Sequence, residues 1–345
     1  MTHIERDVSL APLTTLGLGG AAKRFTRVFE LAELRQALHA AGDDPVLILG
    51  GGSNLVVRDT GFPGLVIQLA IDKMRLVSDR KTAVVSVSAG VVWDAFVAQM
   101  VGAGYAGLEC MSGIPGLVGA TPMQNVGAYG QEVSDTILFV RALDRETGDI
   151  VELDNAACEL AYRTSRFRGT HAGRFVIVEV VFGLAQSRTS APIKYPELSK
   201  ALGIADGGVA PLAAVRDTVI RLRRGKGMVV DPGDPESRSA GSFFTNPIVD
   251  AATVAQLGTR VVATFPSWPA PGGHTKLAAG WLIERAGFAK GYTRGRVGIS
   301  HKHALALVNR GGGTATELLD LAREIQEGVF DKLGIALHPE PIIVG

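Results

Sequence analysis

At 345 residues, with 46% hydrophobic and 20% charged positions, the chain is long enough for two domains and can bury a sizeable core. A formal charge of +1 gives no electrostatic reason to expect nucleic acid or a membrane surface as a partner. Two cysteines, Cys110 and Cys158, are too few for a disulfide framework and lie in no metal-ligand spacing, so both are read as reduced and no metal is expected.

The first residues, Met-Thr-His-Ile-Glu-Arg-Asp, carry acids where a signal peptide would be basic and then apolar. The run Val91–Gly107 is interrupted by Asp94 and Gln99, and no apolar stretch reaches the length of about 18–20 residues needed to span a bilayer. A cytoplasmic protein, read as a monomer, is the expectation.

Leu13–Gly20 opens with turn chemistry and hydroxyls, and Glu30–Ala41 has the spacing of an amphipathic helix through Leu31, Leu34 and Leu38. Pro45–Leu49 is a continuous apolar strand running into Gly50-Gly51-Gly52-Ser53-Asn54. The next residues, Leu55-Val56-Val57, read as a strand rather than a helix. No helix N-terminus is there to take a pyrophosphate, and a Rossmann dinucleotide fold is rejected. Leu65–Leu69 and Ala83–Ala89 read as strands. Val92–Gly102 reads as a helix with Trp93, Phe96, Val97 and Met100 on a core face.

Gly113 to Gly130 has neither a helical nor a strand period. Glycines at 113, 116, 119, 127 and 130 and prolines at 115 and 122 punctuate it. Loops of this length in a compact domain are uncommon and usually functional or disordered, and Met123, Val126, Ile114, Leu117 and Tyr129 argue against disorder. Glycines let the backbone approach a ligand closely, and successive N–H groups can form an anion-binding concavity. The stretch is therefore read as the bed of a phosphorylated cofactor.

Strands resume at Ile137–Asp144 and Phe175–Phe182, around a hairpin at Glu146–Asp149. After Gln186–Ser190 the texture changes. A helix is expected over Leu212–Arg224, a short strand over Gly241–Pro247, a helix over Lys276–Ala286, a strand over Ala304–Val308, a long amphipathic helix over Thr314–Leu333 and a closing strand over Pro341–Val344. The fold class is α+β, with a smaller α/β layer following the first domain.

Six blocks, in this order along nearly the whole chain, together carry a resemblance: Gly50–Leu55, Gly113–Gly130, Tyr162-Arg-Thr-Ser165, Gly241–Pro247, Ala279–Ile283 and His338–Pro341. The chain resembles the UDP-N-acetylenolpyruvoylglucosamine reductase family, in the subtype that carries a tyrosine in its sugar loop. The resemblance implies a vanillyl-alcohol-oxidase-type FAD-binding domain over residues 14–188, to which the strand within 335–345 returns. A domain over 205–334 would close on UDP-N-acetylglucosamine enolpyruvate. It also implies non-covalent FAD, NADPH as reductant, and reduction of the enolpyruvyl ether to a lactyl ether in peptidoglycan precursor synthesis.

Residue by residue, the resemblance puts the cofactor on Gly50, Gly51, Gly52, Ser53, Asn54 and Leu55, and on Val178. In the long loop it adds Gly113, Ile114, Pro115, Gly116, Gly119, Ala120, Pro122, Gln124, Asn125, Gly127, Ala128, Tyr129 and Gly130. For the chemistry, Arg163 offers a bidentate fork to the substrate carboxylate. Ser242 matches the proton donor, and Glu340, held between two prolines, would assist. Tyr162, Tyr195, Arg223, Lys226, Asn246 and Arg285 are the expected substrate contacts. The chain departs from the family pattern at Thr245, Arg285 and Lys226–Asp231, so diphosphate contacts are the least defined. An oxidase on the same flavin fold and a non-catalytic nucleotide-sugar binder are the rival readings; the former conflicts with Tyr195 and Lys226, the latter with the presence of Ser242, Arg163 and Glu340.

Overall fold

A computed structural model describes residues 3–79, 81–261 and 263–345. The contacts divide the chain into two units, each built from discontinuous segments. The first comprises Met1–Asp7, Lys23–Gly51 and Pro63–Arg224; the second comprises Val8–Ala22, Gly52–Phe62 and Gly225–Gly345. The cut differs from the expected 14–188 and 205–334, chiefly because Gly52–Phe62 groups with the C-terminal half.

The first unit is organised on a six-stranded antiparallel sheet. Its strands run in the order Ile150–Asp154, Ile137–Asp144, Phe175–Gln186, Thr82–Ser88 and Met74–Ser78, and Tyr105–Ala106 pairs beside the far end of Phe175–Gln186. The Trp93–Gly102 helix lays the expected apolar face on this sheet. The Trp93, Phe96 and Phe182 rings pack with centroids 5.2–6.1 Å apart, and all three are buried. Edge-to-face and tilted packing of this kind adds to simple burial. A second sheet, most of it in this unit, runs in the order Glu5–Ser9, Ala21–Val28, Phe62–Leu69 and Val46–Leu49. The helix Leu31–Ala41 buries Leu34 and Ala37 in the core that includes Val28, Leu65 and Ile67.

The second unit is built round the 19-residue helix Ala315–Leu333, whose start carries a capping box between Thr314 and Glu317. Leu318, Leu321, Ile325 and Val329 pack at helical spacing against a core containing Phe243, Phe244 and Leu282. A four-stranded sheet runs Ser239–Ser242, Ala306–Asn309, Val297–Ile299, Thr293–Arg294, and a three-stranded sheet runs Ile248–Val249, His274–Leu277, Ser267–Ala270. Ile342–Val344 pairs in parallel with Leu55–Val57.

Several sequence expectations change in detail. The strand from Phe175 continues to Gln186, because Gly183–Ala185 stay paired with Thr82–Val84 and Ala185 and Gln186 gain partners in Tyr105–Ala106. The strand expected over 241–247 is instead Ser239–Ser242. Gly241 sits at φ 74°, the register shifts there, and the residues after Ser242 turn toward the C-terminal segment. The helix expected from Lys276 begins at Ala279, since His274–Leu277 is paired on both sides as a strand. The strand near Ala304 starts at Ala306, after a turn in which the Leu305 N–H donates to His303 Nδ1 at 3.0 Å. Several strands, among them Glu5–Ser9, Ala21–Val28, Met74–Ser78, Ser267–Ala270 and Val297–Ile299, and the helices Pro196–Leu202 and Ala251–Arg260 have no counterpart among the expected elements.

Candidate active site

In the first unit the long loop Gly113–Gly130 is a fixed structure. It contains two short 3-10 turns, Val118–Ala120 and Pro122–Gln124. Its backbone is stitched to the sheet in a relay: the Val178 carbonyl accepts from Ala89 N–H (2.9 Å) and the Ala89 carbonyl accepts from Gly119 N–H (3.0 Å). Two glycines are dictated by space. A Cβ on Gly119 would lie 2.4 Å from the Cβ of Ala89, and one on Gly51 would lie 2.9 Å from the Cα of Gly116. Among the described residues, the N–H groups of Gly50, Gly51 and Gly116 donate to no protein acceptor.

Asn125 sits at φ 45° and is buried. Its amide donates to Glu132 Oε2 (2.7 Å) and its oxygen accepts from Ser134 N–H (3.1 Å), so its side chain shapes the loop. Gln124 Oε1 accepts from Arg168 Nη1 at 2.6 Å. Tyr129, also in the left-handed region at φ 50°, stands edge-to-face with Tyr195, ring centroids 5.3 Å apart. Gly113, Ile114, Pro115, Gly116, Ala120, Pro122, Gly127, Ala128 and Gly130 lie along the same loop.

The Tyr162–Ser165 block is fastened to this loop. Ala161 and Thr164 exchange both backbone hydrogen bonds (3.1 Å each), closing a tight turn with Tyr162 and Arg163 at its tip. Arg163 adopts φ 54°, which costs a residue with a Cβ about 1–2 kcal/mol. The surroundings hold it there: Ser165 Oγ donates to the Met123 carbonyl (2.7 Å) and Arg163 Nη2 donates to the Gly127 carbonyl (3.2 Å). The Arg163 guanidinium also lies 5.5 Å above the Tyr162 ring.

Arg223 lies in the last turn of the helix Leu212–Gly225. Burial pushes its guanidinium down to about 10, opposed by Tyr129 and Asp94 and reinforced by Arg163. Burial likewise pushes the Tyr129 hydroxyl up to about 12, and raises that of Tyr195. The first unit therefore gathers Arg163, Arg223, Tyr129, Tyr162 and Tyr195 about one loop, a cationic pair walled by aromatic rings. That arrangement suits an anion bearing a flat base or ring.

In the second unit the Ser242 and Glu340 blocks are brought together by backbone. Glu340 N–H donates to the Phe243 carbonyl (2.8 Å), and Thr245 N–H donates to the His338 carbonyl (3.1 Å). Phe244 and Pro339 form the bridge between these two bonds. Glu340 is thereby fixed one residue from Ser242 in the pairing. Asn54 joins the same cluster: its Nδ2 donates to the Glu340 carbonyl (3.4 Å) and its carbonyl accepts from Ile342 N–H (3.0 Å). Gly52, at φ 61°, leaves no room for a side chain, since a Cβ would fall 2.0 Å from the Leu13 carbonyl oxygen. Ser53 and Leu55 continue this segment into the strand paired with Ile342–Val344.

Asn246 Oδ1 accepts from Ala279 N–H (3.0 Å) at the start of the helix Ala279–Arg285, leaving its NH₂ as the end available to a ligand. Arg285 stands exposed in the last turn of that helix, and Lys226 is half-buried just after the boundary between the units. Sequence reasoning missed Asp94 as a site residue. It showed only as an interruption in an apolar run, and no sequence signal links it to its partner Arg216 on a helix 122 residues away.

The pattern described as the FAD binding domain matches residues 23–154, and that of the UDP-N-acetylenolpyruvoylglucosamine reductase C-terminal domain matches residues 234–344. The UDP-N-acetylenolpyruvoylglucosamine reductase of Thermobifida fusca is 51% identical over 100% of this chain and 99% of its own length. That of Streptomyces avermitilis is 48% identical, over 100% of this chain and 96% of its own. Among solved structures, the UDP-N-acetylenolpyruvylglucosamine reductase of Thermus caldophilus aligns over 100% of both chains with a TM-score of 0.69 and 26% identity. With half its residues identical to such a relative from end to end, this chain belongs to the UDP-N-acetylenolpyruvoylglucosamine reductase family.

Proposed function

We propose that this protein reduces UDP-N-acetylglucosamine enolpyruvate to UDP-N-acetylmuramate, with NADPH as reductant and non-covalently bound FAD. It would act in the cytoplasm, as a monomer, in the supply of peptidoglycan precursors. The observation that carries the reading is the backbone clamp joining Phe243 to Glu340, which holds the segments bearing a hydroxyl and a carboxylate side by side.

The residues fit FAD. A pyrophosphate and a large neutral ring call for backbone donors and apolar walls. Gly50, Gly51 and Gly116 offer donors, and the loop between Gly113 and Gly130 is short of charge. Gln124 and Asn125 support that loop through Arg168, Glu132 and Ser134. No histidine lies in either glycine-rich loop, which accords with a non-covalent cofactor. FAD, when bound, supplies the hydride that reaches C3 of the enolpyruvyl group.

The protein's own part is to hold the substrate and move one proton. Arg163, pinned by Gly127 and the Tyr162 ring, presents its guanidinium to the substrate carboxylate and offsets the charge that builds on it and on C2. Ser242 Oγ delivers the proton to C2, and Glu340 assists that proton transfer. Arg223 and Lys226 take the diphosphate, and Tyr162, Tyr195, Asn246 and Arg285 complete the sugar-nucleotide contacts.

Stopped-flow measurement on Ser242→Ala tests the assignment. NADPH should bleach the flavin at the normal rate, and reoxidation by the enolpyruvyl sugar should slow by about 10²–10⁴, the usual worth of a general acid. Equal slowing of both half-reactions would remove Ser242 as the proton donor.

A further inference from the structure

The carboxylate of Asp94 makes three contacts that tie the flavin loop to the helix carrying Arg223. Oδ1 accepts from the N–H of Gly113, the residue that opens the flavin loop, at 2.6 Å. The same oxygen accepts from Arg216 Nη1 at 2.6 Å, and Oδ2 accepts from Nη2 at 2.8 Å, a two-pronged pairing. The pair is shielded: the Arg216 side chain is 16% exposed and that of Asp94 35%. Arg216 stands seven residues before Arg223 on the helix Leu212–Gly225, which puts the two on the same face about two turns apart. Gly113 itself has φ 72°, so the loop turns sharply at the residue that Asp94 holds.

Asp94 is in the first turn of the helix Trp93–Gly102, whose start is also bonded to the loop through Trp93 N–H and the Gly116 carbonyl (3.0 Å). Its backbone is therefore anchored in the sheet-packed core while its side chain reaches outward to loop and helix. The Arg216 helix packs through Val215 and Val219 in an apolar cluster with Cys110, Ile193 and Leu198. That apolar contact fixes its distance, whereas the directional Asp94–Arg216 fork fixes its rotation and the reach of Arg223.

We infer that Asp94 and Arg216 are positioning residues which lock the diphosphate-binding arginine, Arg223, to the entrance of the flavin loop, so that substrate affinity depends on a side chain contacting neither substrate nor flavin. The inference rests on the reading that Gly113–Gly130 beds FAD and Arg223 meets the substrate diphosphate. Asp94 also lies within electrostatic range of Arg223. A simple counter-charge role thus predicts the opposite sign, since its neutralisation would strengthen binding of an anion.

The test uses the full-length holoenzyme and five variants, with KM for the enolpyruvyl UDP-sugar, Kd of FAD by fluorescence quenching, and thermal midpoint read in parallel. Asp94→Asn keeps an oxygen for Gly113 and loses the charged fork. It should raise KM about tenfold, with Kd of FAD within twofold of wild type. Arg216→Gln should do the same, and the double variant should be no worse than either single change. Asp94→Ala, which also releases Gly113, should raise KM and loosen FAD together. The inference is overturned if Asp94→Asn lowers KM, which would leave only the counter-charge role. It is equally overturned if both single variants keep KM within twofold while the thermal midpoint falls, a purely structural clasp. Arg223→Ala is the control for the underlying reading: an unchanged KM in that variant would overturn the role of Arg223 itself, and the inference with it.

Discussion

In the proposed mechanism Ser242 gives up a proton that a free hydroxyl holds tightly, and the bond from Glu340 N–H to the Phe243 carbonyl fixes the backbone on which that hydroxyl stands. The buried ionisable groups of the first unit give a separate, quantitative expectation. Burial pushes the thiols of Cys110 and Cys158 up from 9.0 to about 12, Glu109 adding to the effect at Cys110 and Asp154 at Cys158. Burial moves Tyr129 up from 10.0 to about 12. These groups keep their protons in the folded protein after the unfolded chain has begun to lose them. Their contribution to stability is therefore complete below about pH 9 and is lost as the pH rises from there toward 12. Urea midpoints measured across that range should fall steadily. A midpoint flat to about pH 11.5 would show that the three groups are solvated in the native state. For the same reason, neither cysteine should be alkylated by iodoacetamide at about pH 8 without denaturant.

At the scale of elements, the glycine-rich loops are the most legible feature of the sequence. Their density of glycine and proline cannot be fitted to a helix or strand, and the close approaches of Gly51 to Gly116 and of Gly119 to Ala89 supply the physical cause. Gly119→Ala should therefore shift the loop backbone, lower stability by about 1–3 kcal/mol as overpacking does, and leave the purified protein short of flavin. Normal flavin content in that variant would mean that the loop yields without consequence for the cofactor. The long helix Ala315–Leu333 is legible through its periodicity and its capping box. The start of the helix Ala279–Arg285 is misplaced by sequence alone because Thr275-Lys276-Leu277 has no strong preference of its own, and pairing on both sides decides it as strand. The edge strand Glu5–Ser9, with exposed charge and little apolar alternation, carries no signal at all.

For the whole molecule, the order of motifs along the chain identifies the family, while the physical arrangement that makes them a site is only partly readable. The pairing of Asn54 with the Glu340 segment joins positions 286 residues apart, and that of Asp94 with Arg216 joins positions 122 apart. One sequence without relatives contains no record of either. Nor does it foretell that Gly52–Phe62 belongs with the C-terminal half, an outcome of the parallel pairing of Leu55–Val57 with Ile342–Val344. The chemistry-bearing side chains are accordingly easier to name from sequence than the residues that hold them.

The central claim, that this chain carries a flavin and uses it to reduce an enolpyruvyl UDP-sugar, is tested most directly by one anaerobic titration of the purified protein. The visible flavin band should bleach on adding one equivalent of NADPH and return only when UDP-N-acetylglucosamine enolpyruvate is added. Bleaching without recovery would contradict the substrate. A protein with no flavin band, even after incubation with FAD, would contradict the role of Gly113–Gly130 as a cofactor bed.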